Sequence, residues 1–230
     1  MSQHSRRVLL GLAAGMTIMM AMPAVTLAEH VKEPSTGVGF DPIRKWGKFK
    51  MRCIGTCLRE KGPFDVYAGC FYVDLAQGKA KLLEFLATPA AGGAYKDGKL
   101  DKAKLLKNEA FYQWLIKADL PTSIDMTFVR DVSGDKIKGA YLEGLTKFMK
   151  DKGVMNKFLN QTTGDIQKWQ HLTLNTFPGG KVVFQYAGKT KQAIVSKDLA
   201  QGLLSIYFGK PPLKEAIKRS LVKNIHLLLK

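Results

Sequence analysis

The chain has 230 residues, 46% apolar and 24% charged, which is enough for one well-filled core and far too apolar for a disordered or fibrous protein. Its 36 Lys and Arg against 19 Asp and Glu leave +17 at pH 7, a surface that draws an anionic membrane surface or an acidic ligand; with no groove-reading motif, nucleic acid is not an expected partner. Three cysteines that form no CxxC, histidines without ligand spacing and the lack of a glycine-rich phosphate loop exclude, by motif, a zinc module, a thioredoxin-type site and a nucleotide fold; no metal or cofactor is expected.

The amino end pairs Arg6 and Arg7 with an apolar run from Val8 to about Met22, then Pro23 and the small-residue site Thr26-Leu27-Ala28. That is the layout of a removable secretion signal over residues 1–28, and the run is shorter than the roughly 20 residues needed to span a bilayer. The stretch from Ser5 to Leu10 also resembles a twin-arginine export motif. The expected location is therefore exported and periplasmic, and removal of the signal takes two basic residues and no acid, leaving +15.

Residues 29–45 are polar and broken by Pro and Gly, which predicts an extended lead-in to a single domain over 46–230. Residues 50–58 and 64–73 read as two strands around the turn Glu60-Lys61-Gly62-Pro63. A hairpin centred near residue 61 or 62 sets Cys53 directly across from Cys70 as a candidate disulfide for an oxidising compartment; three buried free thiols is the other reading. Cys53 and Cys57 stand about 13 Å apart along one strand, beyond disulfide reach.

Helices follow over Lys79–Leu86 and Asp101–Ala118, then a half-buried strand in which Ile124, Met126 and Phe128 alternate with Asp125, Thr127 and Val129. Arg130 continues the buried phase of that strand. Ser133-Gly134-Asp135 is a helix start with a hydroxyl to cap free amides, and Ile137, Ala140, Tyr141, Gly144, Leu145 and Phe148 recur at helical spacing up to a stop at Gly153. After a short helical region over 154–170, residues 172–177, 182–186 and 192–195 make an antiparallel meander. Two helices, 198–208 and about 213–229, close the chain. The sum is an α+β fold, an open-faced and mostly antiparallel sheet covered on one face by a layer of helices.

The order of elements resembles the chalcone isomerase-like family. Cys57-Leu58-Arg59, a short turn and the run from Phe64 to Val73 resemble the family's opening strands; Phe128 to Ser133 and the segment from Asp198 to Lys210 are similar to its bacterial members. The resemblance covers about residues 47–225 and implies a ligand cleft between sheet and helices. It puts Arg59 where the family holds an anionic oxygen, and Tyr67 where the fatty-acid-binding relatives have tyrosine and the enzymes a threonine. Ser133 falls in place of the enzymes' catalytic tyrosine and Ala140 in place of their active-site asparagine. Binding of a small apolar anionic ligand is therefore expected ahead of cofactor-free isomerase or intramolecular lyase activity.

The residues themselves agree, because a guanidinium fork beside a phenol hydroxyl suits a carboxylate. With Gly69 leaving room beside Tyr67 and with Arg130 and Ser133 nearby, Arg59 and Tyr67 define the candidate ligand-binding set. The plain structural alternatives are Arg59 paired with Glu60, Tyr67 as a sheet aromatic, Arg130 paired with Asp131, and Tyr141 and Phe148 as core.

Overall fold

The computed structural model describes residues 30–230. The signal reading of residues 1–28, with its Arg6–Arg7 pair, lies outside them.

The lead-in supplies three short strands, β1 (Val31–Lys32), β2 (Gly39–Phe40) and β3 (Ile43–Trp46). A long hairpin follows, β4 (Phe49–Lys61) and β5 (Phe64–Asp74), running into α1 (Leu75–Leu86). Next come β6 (Tyr95–Lys96), β7 (Lys99–Leu100), α2 (Lys102–Lys107), α3 (Glu109–Lys117), β8 (Thr122–Phe128), α4 (Gly134–Thr146) and α5 (Lys152–Leu159). The chain ends with β9 (His171–Phe177), β10 (Lys181–Tyr186), β11 (Lys189–Thr190), β12 (Ile194–Val195), α6 (Lys197–Phe208) and α7 (Glu215–Ser220). The main sheet runs β11-β10-β9-β8-β5-β4-β3, with β12 also on β10, and the pairings between its strands are antiparallel.

The sheet is buried on both faces at β5, which is why that strand reads as a nearly continuous apolar run. Tyr67, Phe71 and Val73 enter the main core under the helices, while Ala68, Cys70 and Tyr72 join Met51, Cys53, Val38 and Phe40 in a second, smaller core. The lead-in closes that second core, so its extended form reflects docking onto the sheet. Tyr72 ties the two together by donating its hydroxyl to the Asp41 carbonyl at 3.0 Å.

Two bulges set the hairpin register. Ile54 has no partner between the pairs Cys53–Tyr72 and Gly55–Phe71, and Val66 has none between Arg59–Tyr67 and Glu60–Asp65. Cys53 therefore faces Tyr72 rather than Cys70, and the disulfide that joins Cys53 to Cys70 runs diagonally, with Cα atoms 6.3 Å apart. The bulge also sends Ile54 into the main core directly after Cys53 enters the second one. Gly55 is glycine for a tertiary reason: a Cβ there would strike the Ser220 and Leu221 carbonyls at the end of α7.

Several predicted boundaries move, the first two because a side chain competes for the backbone. The single helix expected over 101–118 is split at Asn108, whose side chain accepts from the Ala110 amide at 2.9 Å and donates to the Ala90 carbonyl at 2.7 Å. The helix expected to run to Gly153 stops at Thr146, and Asp151 caps a new one by accepting from the Val154 amide at 3.0 Å. The final helix expected over 213–229 ends at Ser220; the tail then docks on β4 through the Asn224 amide, 2.8 Å from the Ile54 carbonyl.

Candidate functional site

Arg59 and Tyr67 stand directly opposite one another across β4 and β5, on the face the helices cover. They flank a tight turn at Gly62-Pro63, so the hairpin alone brings them together. The next strand supplies Phe128, which pairs with Tyr67 and sets its ring 5.6 Å from that of Tyr67.

Three tyrosines from three elements meet here. The hydroxyls of Tyr67 (β5) and Tyr141 (α4) both approach that of Tyr207 (α6), which also donates to the Met126 sulfur on β8 at 3.5 Å. All three rings are buried. Burial pushes the Tyr207 phenol up to about 12 and carries those of Tyr67 and Tyr141 well above the ordinary phenol value. Burial likewise pushes the Cys57 thiol, beside the same cluster, up to about 12, the wrong direction for a nucleophile. At neutral pH the site therefore offers uncharged hydroxyl donors beside a permanent cation.

Among the described residues Arg59 has neither an ion-pair partner nor a side-chain hydrogen bond. Glu60, its expected partner in the plain reading, is taken by Lys214 at 2.7 Å, which holds the Glu60 carboxyl below its usual range. Arg59 is half-buried, and its charge is felt at Cys57 and Tyr207. A half-buried guanidinium without a counter-ion, next to buried hydroxyl donors, is complementary to a carboxylate or another small oxyanion.

The other predicted residues fall elsewhere. The strand stops at Phe128, so Arg130 does not continue its buried phase; it is exposed, with its guanidinium 4.5 Å from the centre of the Phe64 ring. Asp131, the partner expected for it, accepts instead from the Lys168 amide at 2.7 Å. Ser133 holds the N-cap position of α4, yet its hydroxyl does not cap; the Asp165 carboxylate accepts the Gly134 amide at 3.0 Å in its place. Ala140 is exposed on α4, whereas Tyr141, one residue on, is buried in the cluster.

Gly69 does not leave open room beside Tyr67. The place of its missing side chain is filled by the Cys57 sulfur, 3.0 Å from where a Cβ would sit. The interior over Tyr67 is packed with side chains. Two openings appear elsewhere: a groove of about 270 Å³ along the free edge of β4 beside Glu33, Thr56 and Lys214, and a crevice between Leu120, Phe177 and Leu204. His171, which has no acid near it in sequence, lies 4.0 Å from Asp125 across β8 and β9 and 3.2 Å from the Thr127 hydroxyl. Among the described residues no group of three or more His, Cys, Asp and Glu side chains could hold a metal.

Sequence reasoning missed Tyr207 and Met126 as site residues. One signal was present: apart from Ser205, α6 carries apolar or aromatic residues all round from Leu203 to Phe208, and a tyrosine in such a helix must find a buried partner for its hydroxyl.

Comparison with known proteins bears on the fold. Residues 103–222, just over half of the chain, match the model of a family described as chalcone isomerase-like. The crystal structure of a fatty-acid binding protein of Arabidopsis thaliana superposes with a TM-score of 0.70 at 22% identity, over 87% of this chain and 99% of that one. No curated protein gives a significant sequence match. The family match begins after the β4–β5 hairpin, whereas the structural likeness spans most of the chain.

Proposed function

The chain belongs to the chalcone isomerase-like family, and on that premise we propose that it is a binding protein for an apolar carboxylic acid of the fatty-acid type, with Arg59 and Tyr67 on the carboxylate. The observation that carries this is the half-buried Arg59 guanidinium, without a counter-ion among the described residues and facing Tyr67 on the helix-covered face. The likeness to a protein that binds fatty acids agrees with it. Tyr141 and Tyr207 extend the polar end, while Met126, Phe71 and Phe208 supply apolar surface for the acyl chain.

Because the interior is packed, a ligand enters by displacing side chains between α4, α6 and the sheet. Met126 is the most deformable of them, since a thioether on three rotatable bonds repacks at low cost. The signal-like amino end supports a site of action outside the cytoplasm, in the periplasm, as part of this proposal. Isomerase chemistry is disfavoured because Cys57 stays a thiol and Ser133 and Ala140 contribute no general acid or amide at the tyrosine cluster.

The test is displacement of a fluorescent fatty acid from the purified protein. Loss of a charge-assisted, two-pronged contact should weaken binding about 30-fold in Arg59→Ala, with partial recovery in Arg59→Lys, which keeps the charge and loses the fork. Unchanged affinity in Arg59→Ala would remove the proposal.

A further inference from the structure

We propose that the end of the sheet beyond the Arg59–Tyr67 row is a docking surface for an anionic lipid bilayer. Phe64, at the β4–β5 turn, and Trp169, just before β9, are 55% and 57% exposed, unusual for side chains of this size. Backbone bonds fix them at one end of the sheet: the Val129 amide donates to the Val66 carbonyl at 3.1 Å and the Trp169 amide to the Phe128 carbonyl at 2.7 Å. Only β8 stands between them, a separation of two strand spacings or about 10 Å.

Each exposed ring carries a cation. The Arg130 guanidinium lies 4.5 Å from the centre of the Phe64 ring, and the Lys168 ammonium 5.0 Å from that of Trp169. An aromatic ring capped by a cation fits the headgroup layer, where the ring meets the acyl boundary and the charge meets phosphate. Trp169 also has φ of 70°, a left-handed conformation that is costly for a bulky residue. The turn is held by the Lys168 amide on Asp131 and by the Gln167 amide on the Gln170 side chain, and it points the indole at solvent. A residue strained for the sake of packing would be buried.

Charge selects the occupant. Lys61 at the hairpin and Lys189, paired with Tyr186 on the neighbouring edge, add to Arg130 and Lys168. Of the acids nearby, Glu60 is tied to Lys214, while Asp131 and Asp165 each accept a backbone amide and, with Asp65, keep their charge, so these cations outnumber the unpaired acids four to three. The surface follows from these residues alone and does not depend on what binds at Arg59. Since Phe64 lies three residues, or about 10 Å, from Tyr67, docking would bring the Arg59–Tyr67 row up to the bilayer.

The experiment is co-sedimentation with phosphatidylcholine vesicles, with and without phosphatidylglycerol, at low and high salt. Binding is expected on the phosphatidylglycerol vesicles and should fade as salt screens it. It should fall about fivefold for each cation removed in Arg130→Gln and Lys168→Gln. A Phe64→Ser, Trp169→Asn double variant, polar at both positions and with Asn at ease at positive φ, should lose about tenfold or more. That variant should keep its melting temperature and its fatty-acid affinity in free solution, so a failure of docking is separable from a failure of the ligand assignment. The proposal is overturned by absence of vesicle binding, by full binding of the double variant, by equal binding to neutral vesicles, or by capture of a soluble protein without lipid binding.

Discussion

Replacing Tyr207 by Phe removes the central hydroxyl of the tyrosine cluster, and the effect on stability should change sign with pH. At neutral pH the variant loses a bond to the Met126 sulfur and the partner shared by Tyr67 and Tyr141, a cost of about 1 kcal/mol. The same hydroxyl is a liability in base. Burial raises its folded value from 10.0 to about 12, so above pH 10 the unfolded chain releases a proton that the folded chain keeps. The unfolded state then binds fewer protons, and stability falls as pH rises from 10 towards 12, with nothing lost below 10. At about 1.4 kcal/mol per unit this reaches about 2.7 kcal/mol, a penalty that Tyr207→Phe escapes. The variant should be less stable than the parent at pH 7, equal near pH 11, and more stable by about 1 kcal/mol near pH 11.5. Urea titrations of both proteins from pH 7 to 11.5 read this directly, because the many lysines titrate alike in each and cancel in the difference. Parallel stability curves would refute the buried, proton-holding cluster, and with it the uncharged donors assigned to the site.

Lys218 is buried with its ammonium 2.9 Å from Glu109 and 4.2 Å from the Tyr112 ring, while Glu109 is half-exposed. Glu109→Ala should therefore cost about 1–3 kcal/mol by stranding a buried cation, and Lys218→Met should cost less because water can solvate the remaining carboxylate; a larger loss in Lys218→Met would contradict this. The Cys53–Cys70 bridge closes a 17-residue separation, worth about 3 kcal/mol by chain entropy, so Cys53→Ser with Cys70→Ser should lower the melting temperature, and reductant should do the same to the parent but leave the variant unmoved.

Period-two alternation marks β8 and β10 in the sequence and helical spacing marks α4, because half-buried elements write their geometry into local polarity, whereas β5 shows as an apolar run because both its faces are covered. The breaks at Asn108 and Asp151 escaped notice because each depends on one polar side chain winning a backbone group from an otherwise helical pattern. The bulges at Ile54 and Val66 escaped for a different reason: register is a property of two strands, and neither strand's pattern reports it alone.

What the sequence determined by itself is the antiparallel sheet with its helical cover and a hairpin that carries both Arg59 and Tyr67; the bulge at Val66, which no local pattern reports, sets the two opposite one another. What only the tertiary structure decided is the character of that meeting. Glu60 is drawn off by Lys214, 154 residues away, while Tyr141 and Tyr207 reach Tyr67 from separate helices, and Arg130 comes to rest on Phe64. Such contacts join elements far apart along the chain, and a charge or hydroxyl is satisfied by whatever neighbour the packed core delivers, which no local period records.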